Sequence, residues 1–125
     1  MTKGTGTRRD FGPLEAEVMA ALWEAGGRAT VRTVIDSLNR DRPEPLAYTT
    51  VMTVMSRLAE KEVLRRHRAG RGYLYEATAP DAAGLAVHDV MRTYGDVALA
   101  HFIDVARADP ALLRRLRKML EAEGG

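Results

Sequence analysis

The sequence predicts a mainly α-helical fold that contains one small β-hairpin. Three segments before residue 63 repeat apolar residues with the spacing of a helix, and three more do so after residue 80. Between them, residues 63–78 change to the two-residue alternation of β-strands around a glycine-containing loop. The expected architecture is therefore a three-helix head closed by a hairpin, followed by a three-helix tail.

The head contains three short helices in under fifty residues. The first is expected over residues 13–25, because proline favours the first helical position and Gly26-Gly27 stops the helix. Thr30 is the expected N-cap of the second helix. A proline-rich turn at residues 41–45 separates it from the third helix, expected over residues 48–62. Together these helices predict a tri-helical core.

The hairpin consists of two β-type runs, residues 63–68 and 73–78, joined by a loop of four residues. Two strands alone are marginally stable, so the hairpin is expected to pack against the helices. Helix, helix, turn, helix, hairpin is the element order of a winged helix-turn-helix, in which the hairpin is the wing. We expect that fold over residues 11–79, preceded by a disordered polar arm over residues 1–10.

The tail, residues 80–125, contains three segments that each have one apolar face, at about 81–95, 97–107 and 110–122. So few residues bury only a thin core by themselves. We therefore expect a second copy of the chain to complete these faces, which makes the tail a dimerisation region. The residues expected at the dimer interface are Leu99, Phe102, Ile103, Leu112, Leu113, Leu116, Met119 and Leu120.

Composition and charge narrow the classes of function. The chain has no cysteine, which excludes disulfides, thiolate metal sites and thiol nucleophiles. No apolar run resembles a membrane span or a signal peptide, so we expect a cytoplasmic protein with no membrane partner. The net charge is only +2, but residues 57–71 carry six basic and two acidic residues. That segment is expected to bind a polyanion.

The third helix carries the features of a DNA recognition helix. Opposite its apolar face lie short hydroxyl side chains and an arginine, which allow the backbone to approach the major groove and can bond to bases or phosphates. The same pattern also fits the solvated face of an ordinary helix, and the basic hairpin that follows favours DNA. The expected DNA contacts of this helix are Thr49, Thr50, Met52, Thr53 and Arg57.

The wing is rich in arginine. Such a hairpin can lie along the phosphate backbone or enter the minor groove, where the negative potential attracts arginine. The alternative is an edge hairpin that its charges keep soluble. The expected DNA contacts of the wing are Arg65, Arg66, Arg68 and Arg71.

The case for catalysis is weak. His67, His88 and His101 are widely separated in the sequence, and no nucleophile-elbow or phosphate-loop motif is present. We therefore expect no enzyme activity, no catalytic residues, no metal site and no cofactor.

Three stretches resemble the penicillinase-repressor family, also called BlaI/MecI. They are AEVMAALWEAGGRATVRTVIDSLN, LAYTTVMTVMSRLAEKEVLRR and ALAHFIDVARADPALLRRLRKML. The TTVMTVMSRL segment of the third helix is specific, and LWE around Trp23 supports it. The resemblance covers about residues 11–122, which is nearly the whole chain.

This resemblance implies a cytoplasmic repressor that dimerises through its three C-terminal helices and binds inverted repeats in promoters. Members control β-lactam-resistance genes, or metal homeostasis and stress genes. The family's DNA contacts match the five positions given above for the third helix, and relatives often have basic residues at Thr49 and Met52. Resistance repressors are cleaved by an inducer-activated protease at an Asn-Phe pair, where this chain has His101-Phe102. The copper-responsive branch has cysteine pairs, which this chain lacks.

The predicted function is a homodimeric transcriptional repressor that binds double-stranded operator DNA. One alternative is an effector-sensing regulator with a small-molecule site at the dimer interface, which an apolar cavity in the tail would favour. Another is a winged-helix adaptor that binds proteins, which a failure to bind any duplex at low salt would favour. An enzyme is a distant third, which a convergent polar pocket would favour.

Overall fold

The computed structural model describes residues 11–124. The predicted arm, residues 1–10, lies outside this range. Six helices and three strands follow one another in the described part of the chain, and one short strand among them was not predicted. The elements are α1 (Pro13–Glu24), β1 (Arg28–Ala29), α2 (Val31–Asn39), α3 (Tyr48–Glu60), β2 (Leu64–Ala69), β3 (Gly72–Ala77), α4 (Ala82–Tyr94), α5 (Asp96–Ala108) and α6 (Pro110–Gly124).

Helix α1 ends at two glycines in the left-handed conformation. Gly26 and Gly27 have φ angles of 95° and 92°. Their N–H groups donate to the carbonyls of Trp23 and Leu22, both at 3.0 Å. This pair of hydrogen bonds is the Schellman motif, which satisfies the last carbonyls of a helix and usually has glycine at the left-handed position. The motif ends α1 and leads the chain into β1.

Helices α2 and α3 form the helix-turn-helix pair. The hydroxyl of Thr30 accepts the N–H of Thr33 at 3.1 Å, so Thr30 is the N-cap that the sequence predicts for α2. The connection over residues 40–47 is fixed by Asn39, whose side chain accepts the N–H of Leu46 at 2.8 Å and donates to its carbonyl at 3.2 Å. One amide therefore holds both ends of the turn and orients α3 relative to α2.

Helix α3 ends in the same motif as α1, but without glycine. The N–H of Val63 donates to the carbonyl of Leu58 at 2.9 Å, and the N–H of Glu62 donates to that of Ala59 at 3.0 Å. Glu62 therefore occupies the left-handed position with a φ of 67°, and it is the one non-glycine residue with a positive φ in residues 11–124. This turn sets the direction in which β2 leaves the helix.

The hairpin that forms the wing belongs to a three-stranded antiparallel sheet in the order β1-β3-β2. The prediction included β2 and β3 but missed β1, which pairs Arg28 with Glu76 and Ala29 with Tyr75. A strand of two residues between Gly27 and Thr30 is too short to show an alternating pattern. The third strand covers the edge of β3, so the hairpin does not stand alone.

The turn of the hairpin is tighter than predicted. Ala69 pairs with Gly72, so the loop has two residues and not four. Gly70, the first of them, has a φ of 61°. A two-residue hairpin loop with glycine at a positive φ in its first position is typical of a type II′ turn. The strands consequently run to the tip of the wing.

The head has one hydrophobic core, built where α1, α2 and α3 meet the inner face of the sheet. Its apolar residues follow the helical spacing that the sequence shows. Tyr75 on β3 is 1% exposed and inserts its ring among the helices. The fully buried side chains are Val18, Met19, Leu22, Val34, Val51, Met55, Leu58, Val63, Leu64 and Tyr75.

A hydrogen bond at the end of the head and apolar packing at the start of the tail hold the chain where the two meet. The indole N–H of Trp23 donates to the carbonyl of Ala79 at 2.9 Å. Leu85 on α4 is 5% exposed and packs within the core of the head. The core of the head thus extends past Pro80 into α4, while the division of the chain at residue 80 stays a prediction.

The tail buries few residues in a single chain. Within residues 82–122 the buried residues are Leu85, Asp89 and Ala106, and the first of these belongs to the core of the head. Helix α5 packs against α4 and against α6. Large apolar side chains are left exposed along all three helices, namely Val87, Met91, Tyr94, Val97, Leu99, Phe102, Ile103, Val105, Met119 and Leu120.

Candidate nucleic-acid interface

Helix α3 buries one face and exposes the other. Val51, Met55 and Leu58 point into the core with no measurable exposure. The opposite face contains all five positions that the sequence predicts as DNA contacts. Thr49, Thr50, Met52, Thr53 and Arg57 are exposed there. The face is free of acidic residues from Thr49 to Arg57, so a polyanion can approach it without repulsion.

The strand β2 presents its arginines on two different faces. Arg66 and Arg68 lie on the face that carries Tyr75 and Tyr73, because Arg66 pairs with Tyr75 and Arg68 pairs with Tyr73 in the antiparallel register. Arg65 lies on the other face of the sheet. All four predicted wing contacts are exposed, namely Arg65, Arg66, Arg68 and Arg71.

The arginines on the inner face of the wing contact an aromatic ring. The Cζ atoms of Arg66 and Arg68 lie 4.6 and 5.7 Å from the centroid of the Tyr73 ring. The Tyr73 ring in turn meets Tyr75 edge to face, with centroids 6.4 Å apart and planes at 65°. A side-chain hydrogen bond with Tyr75 raises the pKa of Arg66. The guanidinium groups of Arg66 and Arg68 therefore lie close together on the face of the wing that carries Tyr73 and Tyr75.

A groove of about 520 Å³ runs between α3, the start of α2 and the wing. Arg32 and Tyr48 are among the lining residues that the sequence prediction did not include. The Cζ atom of Arg32 lies 5.3 Å from the centroid of the Tyr48 ring. The available sequence signal was the place of Arg32 in the first turn of a helix, where HTH proteins contact the backbone. The groove is lined by Thr30, Arg32, Tyr48, Met52, Arg66, Arg71 and Tyr73 among others.

Lys61, at the end of α3, is engaged within the head. Its Nζ lies 2.9 Å from Oε2 of Glu15 on α1, and the other oxygen of Glu15 accepts the N–H of Gly12 at 3.2 Å. Partial burial raises the pKa of Glu15, but these two hydrogen bonds and the charges of Lys61 and Arg57 outweigh it, so the pKa lies below its ordinary value. This ion pair holds α3 against α1.

A second cleft, of about 620 Å³, lies behind the wing on the side of Arg65. His67 and His88 both line this cleft, although they are far apart in the sequence. His67 Nε2 lies 3.0 Å from Oε1 of Glu76. In residues 11–124 no group of three or more histidine or acidic side chains is placed to hold a metal ion.

An apolar groove of about 450 Å³ runs between α5 and α6. Six of the eight residues predicted for the dimer interface line it, and Leu112 and Met119 lie outside it. Phe102 is 45% exposed and Met119 is 65% exposed. The six lining residues are Leu99, Phe102, Ile103, Leu113, Leu116 and Leu120.

The profile of the penicillinase repressor family matches residues 11–122. This chain belongs to the penicillinase repressor family. It is also similar to two proteins called transcriptional regulator BlaI, from Mycobacterium tuberculosis strains CDC 1551 and H37Rv. Each is 38% identical over 123 residues, which cover 92% of this chain and 88% of the relative. The resemblance seen in the sequence is confirmed.

Membership of the penicillinase repressor family identifies the chain as a transcriptional repressor. The match extends from the start of α1 into α6, so it covers both the head and the tail. It agrees with the fold, in which a small antiparallel sheet adjoins three helices of the head. No helix in residues 11–124 is long and apolar enough to cross a membrane.

Proposed function

We propose that two copies of this chain form a repressor that binds inverted-repeat operator DNA. In each copy, the exposed face of α3 enters the major groove and the wing contacts the backbone beside it. The observation that carries the proposal is the groove of about 520 Å³ between α3, the start of α2 and the wing, which three arginines line, namely Arg32, Arg66 and Arg71. Phosphate contacts of this kind position a protein, and contacts with base edges specify the sequence.

The residues divide between these two tasks. Thr49, Thr53 and Arg57 lie along the exposed face of α3 and are the proposed base-reading residues. Arg66 and Arg71 line the groove, and Arg68 lies beside Arg66 on the same face of β2; all three are proposed to bind phosphates. Arg32 joins them from α2, a position the sequence prediction omitted.

A dimer is supported by the shortage of buried residues in the tail. Exposed apolar side chains on α4, α5 and α6 would remain in water in a lone chain, at a cost of about 25 cal/mol per Å². A second copy that packs against the same surface removes this cost for both chains. Two heads held about one helical turn apart then fit the two halves of an inverted repeat. A dimer bound to a promoter excludes the transcription machinery from it.

The test is a salt titration of the full chain on duplexes from the region upstream of its own gene. The log of the binding constant should fall with the log of salt concentration by about 0.9 per phosphate contacted. Replacing both Arg66 and Arg68 with alanine should reduce the slope by about two contacts. The matched control replaces Arg114 and Lys118 on α6, which removes the same charge from the tail. If the slope falls equally in the wing variant and in the α6 control, or if it is near zero in the parent protein, the proposal is refuted.

The apolar groove of the tail also supports the second candidate, a repressor that senses a small effector. Its volume of about 450 Å³ lies within the usual range for ligand pockets. Sedimentation of the ligand-free protein separates the two functions. A dimer that forms without ligand and protects Phe102 from solvent favours the interface, and a monomer that dimerises on adding an apolar ligand favours the effector site.

An inducer-activated protease is a further proposed partner. The bond between His101 and Phe102 lies within α5, where both side chains are exposed. Cleavage there requires local unfolding of the helix and would divide the apolar groove, because Phe102 lines one wall of it. Mass spectrometry of the protein recovered from induced cells tests this: fragments ending at His101 support the protease, and an intact chain during derepression refutes it.

A further inference from the structure

The arginines on the inner face of the wing share one aromatic ring. Arg68 lies directly opposite Tyr73 in the hairpin, and Arg66 lies two residues away on the same face of β2. Their Cζ atoms are 5.7 and 4.6 Å from the centroid of the Tyr73 ring. Both distances are within the range in which a guanidinium is attracted to an aromatic face. One ring therefore contacts two cations.

The ring is itself connected to the core of the head. Tyr73 meets Tyr75 edge to face, and Tyr75 is 1% exposed among the helices. The order of contact runs from the core through Tyr75 and Tyr73 to the two arginines. Tyr73 is 38% exposed, so part of its ring faces solvent and its replacement removes little core packing.

An exposed arginine samples many rotamers, and this freedom is lost when the guanidinium binds a phosphate. An arginine already held against a ring loses less freedom on binding, so its affinity for the phosphate is higher. Two like charges placed close together also attract a polyanion more strongly than dispersed ones. The Tyr73 ring can both restrict the arginine rotamers and keep the two charges close together, because it lies between the buried Tyr75 and the groove.

We propose that Tyr73 is a positioning residue that holds Arg66 and Arg68 in the arrangement in which they bind DNA phosphates. This inference rests on the proposed function, since it assigns a role to a residue that acts through two proposed contacts. The phenol hydroxyl is not required for this role, because the ring face provides the attraction.

The experiment measures binding of the full chain to a mixed-sequence duplex at low salt, where phosphate contacts dominate and no operator is needed. Tyr73→Leu should weaken binding by about three- to tenfold, because the arginines then lose more rotamer freedom when they bind phosphate. Tyr73→Phe should keep the affinity of the parent protein. Tyr73→Thr, which suits a strand, should repeat the loss seen with leucine. Thermal melts should show that all three variants remain folded.

A double-mutant cycle separates positioning from direct contact. In a background that carries Arg66→Ala and Arg68→Ala, Tyr73→Leu should cause no further loss. An equal loss in that background overturns the inference, because the ring then acts without the arginines. An equal loss in Tyr73→Phe and Tyr73→Leu also overturns it and indicates that the hydroxyl binds the backbone.

The outcomes distinguish this inference from the proposed function. If the two arginine replacements weaken binding and Tyr73→Leu does not, the wing binds DNA and only the role of Tyr73 is refuted. If the arginine replacements leave affinity unchanged, the proposed role of the wing fails, and the inference fails with it.

Discussion

Replacing Glu62 with glycine should stabilise the protein, although it removes a side chain. Glu62 has a φ of 67° at the end of α3, in the position that Gly26 occupies at the end of α1. For a residue with a Cβ, the left-handed conformation costs about 1–2 kcal/mol. Glycine adopts it without that cost. The two helix ends therefore differ in strain although their hydrogen bonds match.

The gain is smaller than the strain that is removed. Glycine makes the unfolded chain more flexible, which offsets about 0.4–1 kcal/mol. We expect Glu62→Gly to raise the free energy of unfolding by about 0.5–1 kcal/mol, with a rise in Tm of about 2–6 °C for a chain of this size. The reverse change, Gly26→Ala, should lower the free energy of unfolding by about 1 kcal/mol or more. An added Cβ at Gly26 meets no atom within 4 Å, so its cost comes from the backbone alone.

Urea unfolding is measured at one fixed protein concentration. Any contribution of dimerisation is then the same in every variant and cancels from the differences in stability. Glu62→Ala is the control, because it removes the carboxylate but keeps the Cβ. The free energy of unfolding of Glu62→Asn should lie between those of the alanine and glycine variants, since asparagine tolerates the left-handed region. If glycine and alanine at this position give the same stability, the backbone strain assigned to Glu62 is wrong.

Three further predictions concern the interface, base reading and pH. Leu116→Asp should convert the proposed dimer to monomers in sedimentation at micromolar concentration, because each leucine buried at the interface would contribute about 1.5–3 kcal/mol and two-fold symmetry places it in both chains; a variant that remains dimeric would locate the interface elsewhere. Thr53→Ala and Arg57→Ala should each cost about 1–3 kcal/mol on the cognate operator and far less on a scrambled duplex, and equal losses on both would mean that α3 only positions the protein. Lys61→Met should lower the free energy of unfolding near neutral pH, because the pKa of Glu15 in the folded protein lies below its ordinary value of 4.5. The stabilisation is present above that value and is lost as the pH falls through the folded pKa, so the gap in urea midpoint between variant and parent should shrink as the pH falls below 4.5.

The helices were predictable because each repeats its apolar residues over several turns. The cap predicted for α2 is confirmed, because the hydroxyl of Thr30 accepts the N–H of Thr33. These features depend on residues close together in the chain, so local chemistry determines them.

The missed features depend on contacts between distant residues. Strand β1 exists because Arg28 and Ala29 meet β3, almost fifty residues later in the chain. The contact of Tyr73 with Arg66 and Arg68 forms between side chains of two different strands, so it depends on how the folded hairpin places them and not on a local sequence pattern. Leu85 follows Pro80 and lies in the predicted tail, yet it packs within the core of the head.

The hydrogen bond from Trp23 to the carbonyl of Ala79 has a practical consequence. Trp23 is the single tryptophan of the chain, and its indole is anchored where the wing ends and the tail begins. The tryptophan emission of the native protein therefore reports on this joint, without an attached dye. A shift in wavelength on adding DNA would indicate that the joint moves when the head binds. An unchanged spectrum would indicate that the surroundings of Trp23 stay the same when the head binds.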